Sequence, residues 1–190
     1  MEALCTMVTI RRATSDDAPH IVKAFVMAIG GESIARGFCG ERYFEVLEDI
    51  VLTKGSQYYY DNALVAEENK VVVGATIGYD GAMLLSLREQ TLGIIRKHLG
   101  TVPHVERETQ DGEYYVDTLA VVPEWRGRGV GRLLLDGICA KAFDEGYERI
   151  GLLVDIDNNK AERLYTSAGF IRGELRTFLG HPMWHMTKER

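Results

Sequence analysis

A turn rich in glycine and arginine joins an apolar segment to an amphipathic segment after residue 121. Glycines in such a turn let the backbone come close to an anion and adopt dihedral angles that other residues avoid. The N–H groups that open the following helix, together with the positive end of its dipole, favour negative charge at the same place. The chain has a net charge of −6, so a cluster of arginines here indicates a dedicated anion site. The residues predicted to hold a pyrophosphate are Arg126, Gly127, Arg128, Gly129, Val130, Gly131 and Arg132.

The spacing within this turn excludes two common phosphate-binding motifs. A dinucleotide-binding fingerprint requires G-x-G-x-x-G, but the third position falls on Arg132 or Leu134. A P-loop must end in Gly-Lys-Ser or Gly-Lys-Thr, whereas this turn continues through Gly131 to an arginine. The remaining pattern is R-x-x-G-x-G. Without further signals, it is equally compatible with an ordinary strand-to-helix turn whose arginines are solvated.

A second motif follows about thirty residues later. The segment from Asn158 to Phe170 reads N-x-x-A-x-x-L-Y-x-x-x-G-F. Asn159 with Glu162 three residues later predicts a helix N-cap with its capping-box partner, and Gly169 predicts the end of that helix. Taken by itself, the helix would place its tyrosine in an ordinary apolar core.

In this order, the two motifs resemble those of the GNAT family of N-acetyltransferases. The resemblance implies an α/β fold with a central mixed β-sheet flanked by helices. It also implies transfer of an acetyl group from acetyl-CoA to a primary amine, carried by a small molecule or a protein, by direct attack in a ternary complex. In that family the turn binds the cofactor pyrophosphate and the central strand is splayed from its neighbour. The resemblance further implies that backbone groups near Leu119 and Val121, and the side chain of Asn158, hydrogen-bond the cofactor arm.

Acetyl transfer to an amine requires a base that removes a proton and an acid that protonates the departing thiolate. Asp117 is the first candidate for the base and Glu113 the second, each with an edge or surface carboxylate as its alternative interpretation. Strand alternation predicts that Asp117 shares a face with Glu113, Leu119 and Val121. The resemblance assigns the acid role to Tyr165.

Composition limits the remaining possibilities. A chain of 190 residues without internal repeats predicts one domain over residues 1–190, and its acidic balance argues against a nucleic-acid surface. No apolar stretch reaches membrane-spanning length, and the start of the chain lacks the features of a signal peptide. The three scattered cysteines, Cys5, Cys39 and Cys139, favour a cytoplasmic protein with reduced thiols. His181 and His185 without a third ligand make a poor zinc site, so no metal is expected.

Hydrophobic patterning predicts strands and helices that alternate along the chain, with a hairpin around residues 68–70. Residues 80–112 form an insertion that is longer than a direct connection, with helical periodicity interrupted near Gly93 and a polar loop from Thr101 to Asp111. Two interpretations are open. The insertion is a lid or wall of the acceptor site, or it is a helix that packs on the surface or joins two copies in a homodimer.

Two function classes are compatible with these motifs: an N-acetyltransferase and a sensor module that binds acyl-CoA without turnover. Both predict cofactor binding at the glycine turn. Only the enzyme requires Tyr165 and a carboxylate such as Asp117 that faces the thioester, which favours the enzyme.

Overall fold

The computed structural model describes residues 7–190, so Cys5 lies outside the described part of the chain. Seven strands form one sheet: β1 (Thr9–Arg12), β2 (Ala63–Glu68), β3 (Val71–Asp80), β4 (Tyr114–Val121), β5 (Arg149–Asp155), β6 (Ile171–Phe178) and β7 (His181–Glu189). Six α-helices accompany them: α1 (Ala18–Ala28), α2 (Glu32–Cys39), α3 (Tyr43–Leu52), α4 (Leu84–Leu99), α5 (Val130–Asp144) and α6 (Asn159–Ser167). No helix within residues 7–190 combines the length and apolarity that a membrane crossing requires.

The sheet is mixed, with the order β1-β2-β3-β4-β5-β7-β6. Only β4 and β5 pair in parallel, and all other neighbours are antiparallel. The predicted hairpin joins β2 to β3. Asn69 and Lys70 in its turn have φ values of 50° and 65°, the left-handed conformation that suits the twist of a tight hairpin. The predicted α/β class with a central mixed sheet is confirmed.

The helices cover both faces of the sheet and create separate cores. On one face α1, α2, α3 and α4 pack against β2, β3 and β4, around buried residues such as Ile21, Ile50 and Ile94. On the other face α5 and α6 pack against β4, β5 and β7, where Leu135 and Ile138 are fully buried. The central strands, and β4 in particular, therefore have apolar partners on both sides.

Strands β4 and β5 are paired only at their first residues, Tyr114 with Ile150 and Tyr115 with Gly151. Beyond these pairs the two strands separate, although β5 continues to Asp155 and remains paired with β7 along its length. The two strands therefore enclose a wedge-shaped slot that is closed at one end and open towards the carboxyl ends of the strands.

A buried hydrogen bond between a carboxyl group and a histidine reinforces the closed end of the slot. Glu113 immediately precedes β4 and is fully buried, and its Oε2 lies 2.9 Å from Nε2 of His185 on β7. Its Oε1 accepts a hydrogen bond from the amide of Gln110 at 2.8 Å. The carboxylate fills the space where a Cβ on Gly151 of β5 would lie. One side chain thus joins β4, β5 and β7.

The structure differs from the sequence predictions in three places. Residues 32–39 form α2, a short helix between α1 and α3 that the sequence analysis did not predict. The helical part of the insertion is one continuous helix, α4, which passes through Gly93. The N-cap of α6 is Asn158 rather than Asn159, and Glu162 forms an ion pair with Arg172 instead of a capping box.

Substitution of Gly151 tests whether the buried carboxylate needs this glycine. Gly151→Ala would place a methyl group in the Glu113 carboxylate, and overpacking of this kind typically costs about 1–3 kcal/mol. The matched control is Gly93→Ala in α4, where nothing lies within 4 Å of the added carbon. The free energy of unfolding of the control should rise by up to about 1 kcal/mol, because alanine has a higher helix propensity than glycine. Urea unfolding measures both, and equal stabilities for the two variants would contradict this account.

Candidate functional site

A β-bulge in β4 determines where its carboxylate points. In the pairing with β3, Ile77 opposes Thr118 and Gly78 opposes Val116, which leaves Asp117 as the extra residue. The bulge changes the alternation of side chains along the strand. Leu119 and Val121 face α5, whereas Asp117 contacts residues on the opposite side of the sheet. The prediction that all three share one face is therefore wrong.

Asp117 lies in a site lined by polar and aromatic groups and is partly exposed. Its Oδ2 accepts hydrogen bonds from the Tyr79 hydroxyl at 2.7 Å and from Nε2 of Gln57 at 3.2 Å. Its Oδ1 accepts one from the Thr118 hydroxyl at 3.1 Å. Burial raises the pKa of Asp117, and these hydrogen bonds partly oppose that rise.

A second carboxylate, which the sequence analysis missed, belongs to the same cluster. Glu108 comes from the loop that follows α4, is only 3% exposed and accepts a hydrogen bond from Gln57 Nε2 at 3.1 Å. Its other oxygen is paired with Arg88 of α4. Burial, and then the charge of Asp117, raise the pKa of Glu108 to about 7 against the influence of Arg88. The loop has no periodic pattern, so its sequence carries no signal for this placement.

The open edge of β4 presents backbone groups to the slot. The amide of Val122 donates to Val73 on β3. Because N–H groups alternate between the two sides of an antiparallel strand, those of Leu119 and Val121 point away from β3, into the slot. They are free of the β5 ladder there, since pairing with β5 ends at Tyr115. Two donors are thus directed at anything that lies between β4 and β5.

The glycine turn stands at the mouth of this slot. Gly127 and Gly129 have φ values of 75° and 82°, which only glycine adopts without strain. The hydrogen bonds around the turn are made by Trp125 and Arg126 before it and by Arg132 after it. Within residues 7–190, no backbone acceptor is found for the amides of residues 127–131. These unpaired N–H groups and the start of α5 are donors of the kind that can bind an anion.

The three arginines of the turn differ in their present contacts. Arg126 donates from Nε to the Val121 carbonyl at 2.9 Å, and Arg132 pairs with Asp136 at 2.8 Å. Arg128 stacks its guanidinium on the Trp125 ring, 4.7 Å from the centroid, and forms no ion pair within the described residues. Arg128 is therefore the arginine most available to a ligand.

Helix α6 borders the glycine turn. A Cβ on Gly131 would lie 3.5 Å from Leu164, so the start of α5 and the middle of α6 are in contact. Tyr165, one residue further, is half-buried next to Phe170, and its hydroxyl makes no hydrogen bond within residues 7–190. Burial raises the pKa of Tyr165 to about 12, so the phenol stays protonated at neutral pH. Asn158 caps α6 through its Oδ1, which accepts from the Ala161 amide at 3.1 Å.

The matches to known proteins agree with this geometry. The model of the acetyltransferase (GNAT) family matches residues 34–170, which is well over half of the chain. The chain belongs to the GNAT family. A solved structure titled as an acetyltransferase superimposes with a TM-score of 0.81 at 32% identity, covering 95% of this chain and 98% of that one. An N-acetyltransferase from Staphylococcus aureus Mu50 gives a TM-score of 0.80 at 24% identity over 94% of this chain and 99% of that one, which shows the shared fold.

Curated relatives of this GNAT protein match over shorter stretches. A mycothiol acetyltransferase from Propionibacterium freudenreichii is 35% identical over 92 residues, which are 48% of this chain and 28% of the relative. A mycothiol acetyltransferase from Jonesia denitrificans is 40% identical over 65 residues, 34% of this chain and 20% of the relative. Each match therefore spans less than a third of the relative's length.

The raised pKa of Glu108 predicts a pH-dependent stability. A carboxyl whose pKa is higher in the folded than in the unfolded protein binds its proton more tightly when folded, so the free energy of unfolding falls as pH rises through that interval. Between pH 4.5 and about 7, Glu108 should lower stability by on the order of 2–3 kcal/mol. Urea unfolding of wild type and Glu108→Gln at pH 5 and 7.5 isolates this contribution. A wild-type loss no larger than that of the variant would contradict it.

Proposed function

We propose that this GNAT protein transfers an acetyl group from acetyl-CoA to a primary amine in a ternary complex. The observation that carries the proposal is the slot between β4 and β5, with free donors at Leu119 and Val121 and a glycine turn at its mouth. An extended cofactor arm would lie between the unpaired parts of β4 and β5, and the turn offers N–H groups to a pyrophosphate. Arg128 would add charge there, and Asn158 retains its Nδ2 for the cofactor arm.

The proposed reaction joins the amine nitrogen to the thioester carbonyl carbon and breaks the carbon–sulfur bond. Asp117 takes the proton that the amine loses, directly or through a water molecule. Tyr165 gives its phenolic proton to the departing thiolate. Backbone N–H groups at Leu119 or Val121 stabilise the negative charge that develops on the carbonyl oxygen. The geometry favours Asp117 over Glu113 as base, because Glu113 is fully buried whereas Asp117 is partly exposed.

The surroundings of Asp117 support a cationic acceptor. Asp117 and Glu108 carry two negative charges and Arg88 one positive charge when all three are ionised, which leaves a surplus of −1. Tyr58 lies near the same two carboxylates, and the Tyr79 hydroxyl contacts Asp117. The surplus negative charge would attract an ammonium ion. A small-molecule amine and a protein amino group are both compatible with this site.

A sensor without turnover is the second candidate function. The observation in its favour is that the groups proposed to bind CoA lie at the slot and the glycine turn, and none of them is Asp117. Such a module would bind CoA but would not need the partly exposed Asp117 or the unpartnered hydroxyl of Tyr165.

Substitution in the turn tests cofactor binding. Gly129→Val should weaken CoA binding at least tenfold, because the side chain strains a φ of 82° and projects into the path of the phosphates. Gly55→Val is the matched control, since Gly55 has a φ of 84°, equally open surroundings and a position remote from the turn. The readouts are isothermal titration and the CoA-induced rise in melting temperature. Wild-type affinity in a folded Gly129→Val protein would disprove the turn assignment.

Tyr165→Phe separates the enzyme from the sensor. The hydroxyl has no hydrogen-bond partner within the described residues, so its removal should change the free energy of unfolding by less than about 0.5 kcal/mol. If Tyr165 is the acid, kcat should fall by roughly 10–10⁴-fold while the affinity for acetyl-CoA is kept. CoA release in the presence of a panel of primary amines and peptides measures turnover. Undiminished kcat in a folded variant would remove the acid role from Tyr165.

A further inference from the structure

We propose that Glu108 and Asp117 act as one proton-holding pair, joined by Gln57, in which Asp117 meets the acceptor amine and Glu108 is a positioning residue that sets its charge. The inference rests on the proposed function, since it presupposes that Asp117 is the base. It assigns a role to the insertion, which delivers Glu108 from its loop and Arg88 from α4.

The geometry of Gln57 links the two carboxylates. Its Nε2 lies 3.1 Å from Glu108 Oε1 and 3.2 Å from Asp117 Oδ2, so one nitrogen contacts both groups. The same nitrogen lies 2.9 Å from the Tyr79 hydroxyl, which itself donates to Asp117. An amide nitrogen has two hydrogens for these three acceptors. The carboxylates therefore share a limited supply of donors and repel each other at close range.

The two members of the pair differ in exposure. Asp117 is partly exposed, whereas Glu108 is 3% exposed and held against Arg88. Arg88 also donates to the backbone carbonyls of Val105 and Glu106, at 3.2 Å and 2.7 Å, which fixes its guanidinium. Of the two residues, Asp117 is the more exposed, so it is the one that would meet an acceptor. Glu108 acts on Asp117 through its negative charge and through the Gln57 amide that contacts both carboxylates.

The other ionisable groups around the pair do not change their protonation state over the working range of pH. Burial raises the pKa values of Tyr58, Tyr79 and Tyr115, so these phenols remain neutral. Arg88 stays positive, and its pairing with Glu108 reinforces that. Arg176 reaches the pair only through the backbone carbonyl of Glu108, at 3.3 Å. A change in protonation near neutral pH therefore belongs to the two carboxylates.

The proton balance of the pair follows from these contacts. When the two carboxyl groups hold one proton, they carry one negative charge, which the positive charge of Arg88 balances. When that proton is lost, the pair carries the surplus negative charge that accepts a proton from an ammonium ion. Like charges at this distance separate the two ionisations, and burial raises the second towards neutrality, as in coupled carboxylates generally. The pair therefore holds its last proton up to a higher pH than an isolated carboxyl would.

The test is a carboxyl-carbon NMR titration of the ¹³C-labelled protein, which needs no acceptor. Resonances are assigned with Asp117→Asn and Glu108→Gln. In Glu108→Gln the midpoint of the Asp117 carboxyl should fall by about one to two pH units, because the neighbouring negative charge is gone. Glu89→Gln, an exposed residue next to Arg88 on α4, is the control and should leave the midpoint unchanged. An unchanged Asp117 midpoint in Glu108→Gln overturns the inference.

Two further measurements keep the test decisive. If Glu108→Gln does not fold, the wild-type titration still decides: coupling predicts a carboxyl resonance with two inflections, one near neutral pH, whereas separate single steps below pH 5 refute it. Turnover with the best amine of a panel tests the base itself. Wild-type turnover in Asp117→Asn would remove the proposed base. Loss of turnover there, with an uncoupled NMR titration, would refute only the role of Glu108.

Discussion

The separation of β4 from β5 is the constraint on which the site depends. Two residue pairs join the strands, and the Glu113 carboxylate, packed on Gly151 and hydrogen-bonded to His185, reinforces that closed end. Beyond this end, the separated strands expose backbone N–H groups that would pair neighbouring strands in a regular sheet. In most proteins such unpaired groups carry a free-energy cost, unless a ligand or water satisfies them. A cofactor arm that runs along the slot would act as a replacement strand.

Because of the bulge in β4, the side chains of Asp117 and of Leu119 and Val121 face opposite sides of the sheet. Leu119 and Val121 face α5 and the glycine turn, whereas Asp117 faces the cluster with Gln57 and Tyr79. Cofactor and acceptor would therefore approach from opposite sides of one strand and meet at its edge. In the proposed reaction, the sheet would keep the two substrates apart until they reach the reacting carbon.

Several structural features that depend on residues close together in the chain were predicted correctly from the sequence. A helix, α5, follows the glycine turn as predicted, because the turn and the amphipathic pattern after it mark that helix locally. The bulge at Asp117 was missed, because it requires knowledge of the partner strand. Gly78, whose absent side chain leaves room for the Tyr114 ring, marks the place only once the register is known. Glu108 was missed for a related reason, since only tertiary contacts bring its irregular loop to β4.

The loop that carries Glu108 depends on the last hairpin of the sheet. The Leu179 amide donates to Glu106 at 3.2 Å, and Arg176 donates to the Glu108 carbonyl at 3.3 Å; the paired residues are 73 and 68 positions apart in sequence. At roughly 5–20 residues per second, a ribosome needs about 4–15 s to make that intervening stretch. The six helices and strands β1 to β5 all precede these anchors in the chain. The proposed acceptor site would therefore be completed only when the β6–β7 hairpin docks, after the rest of the chain has been made.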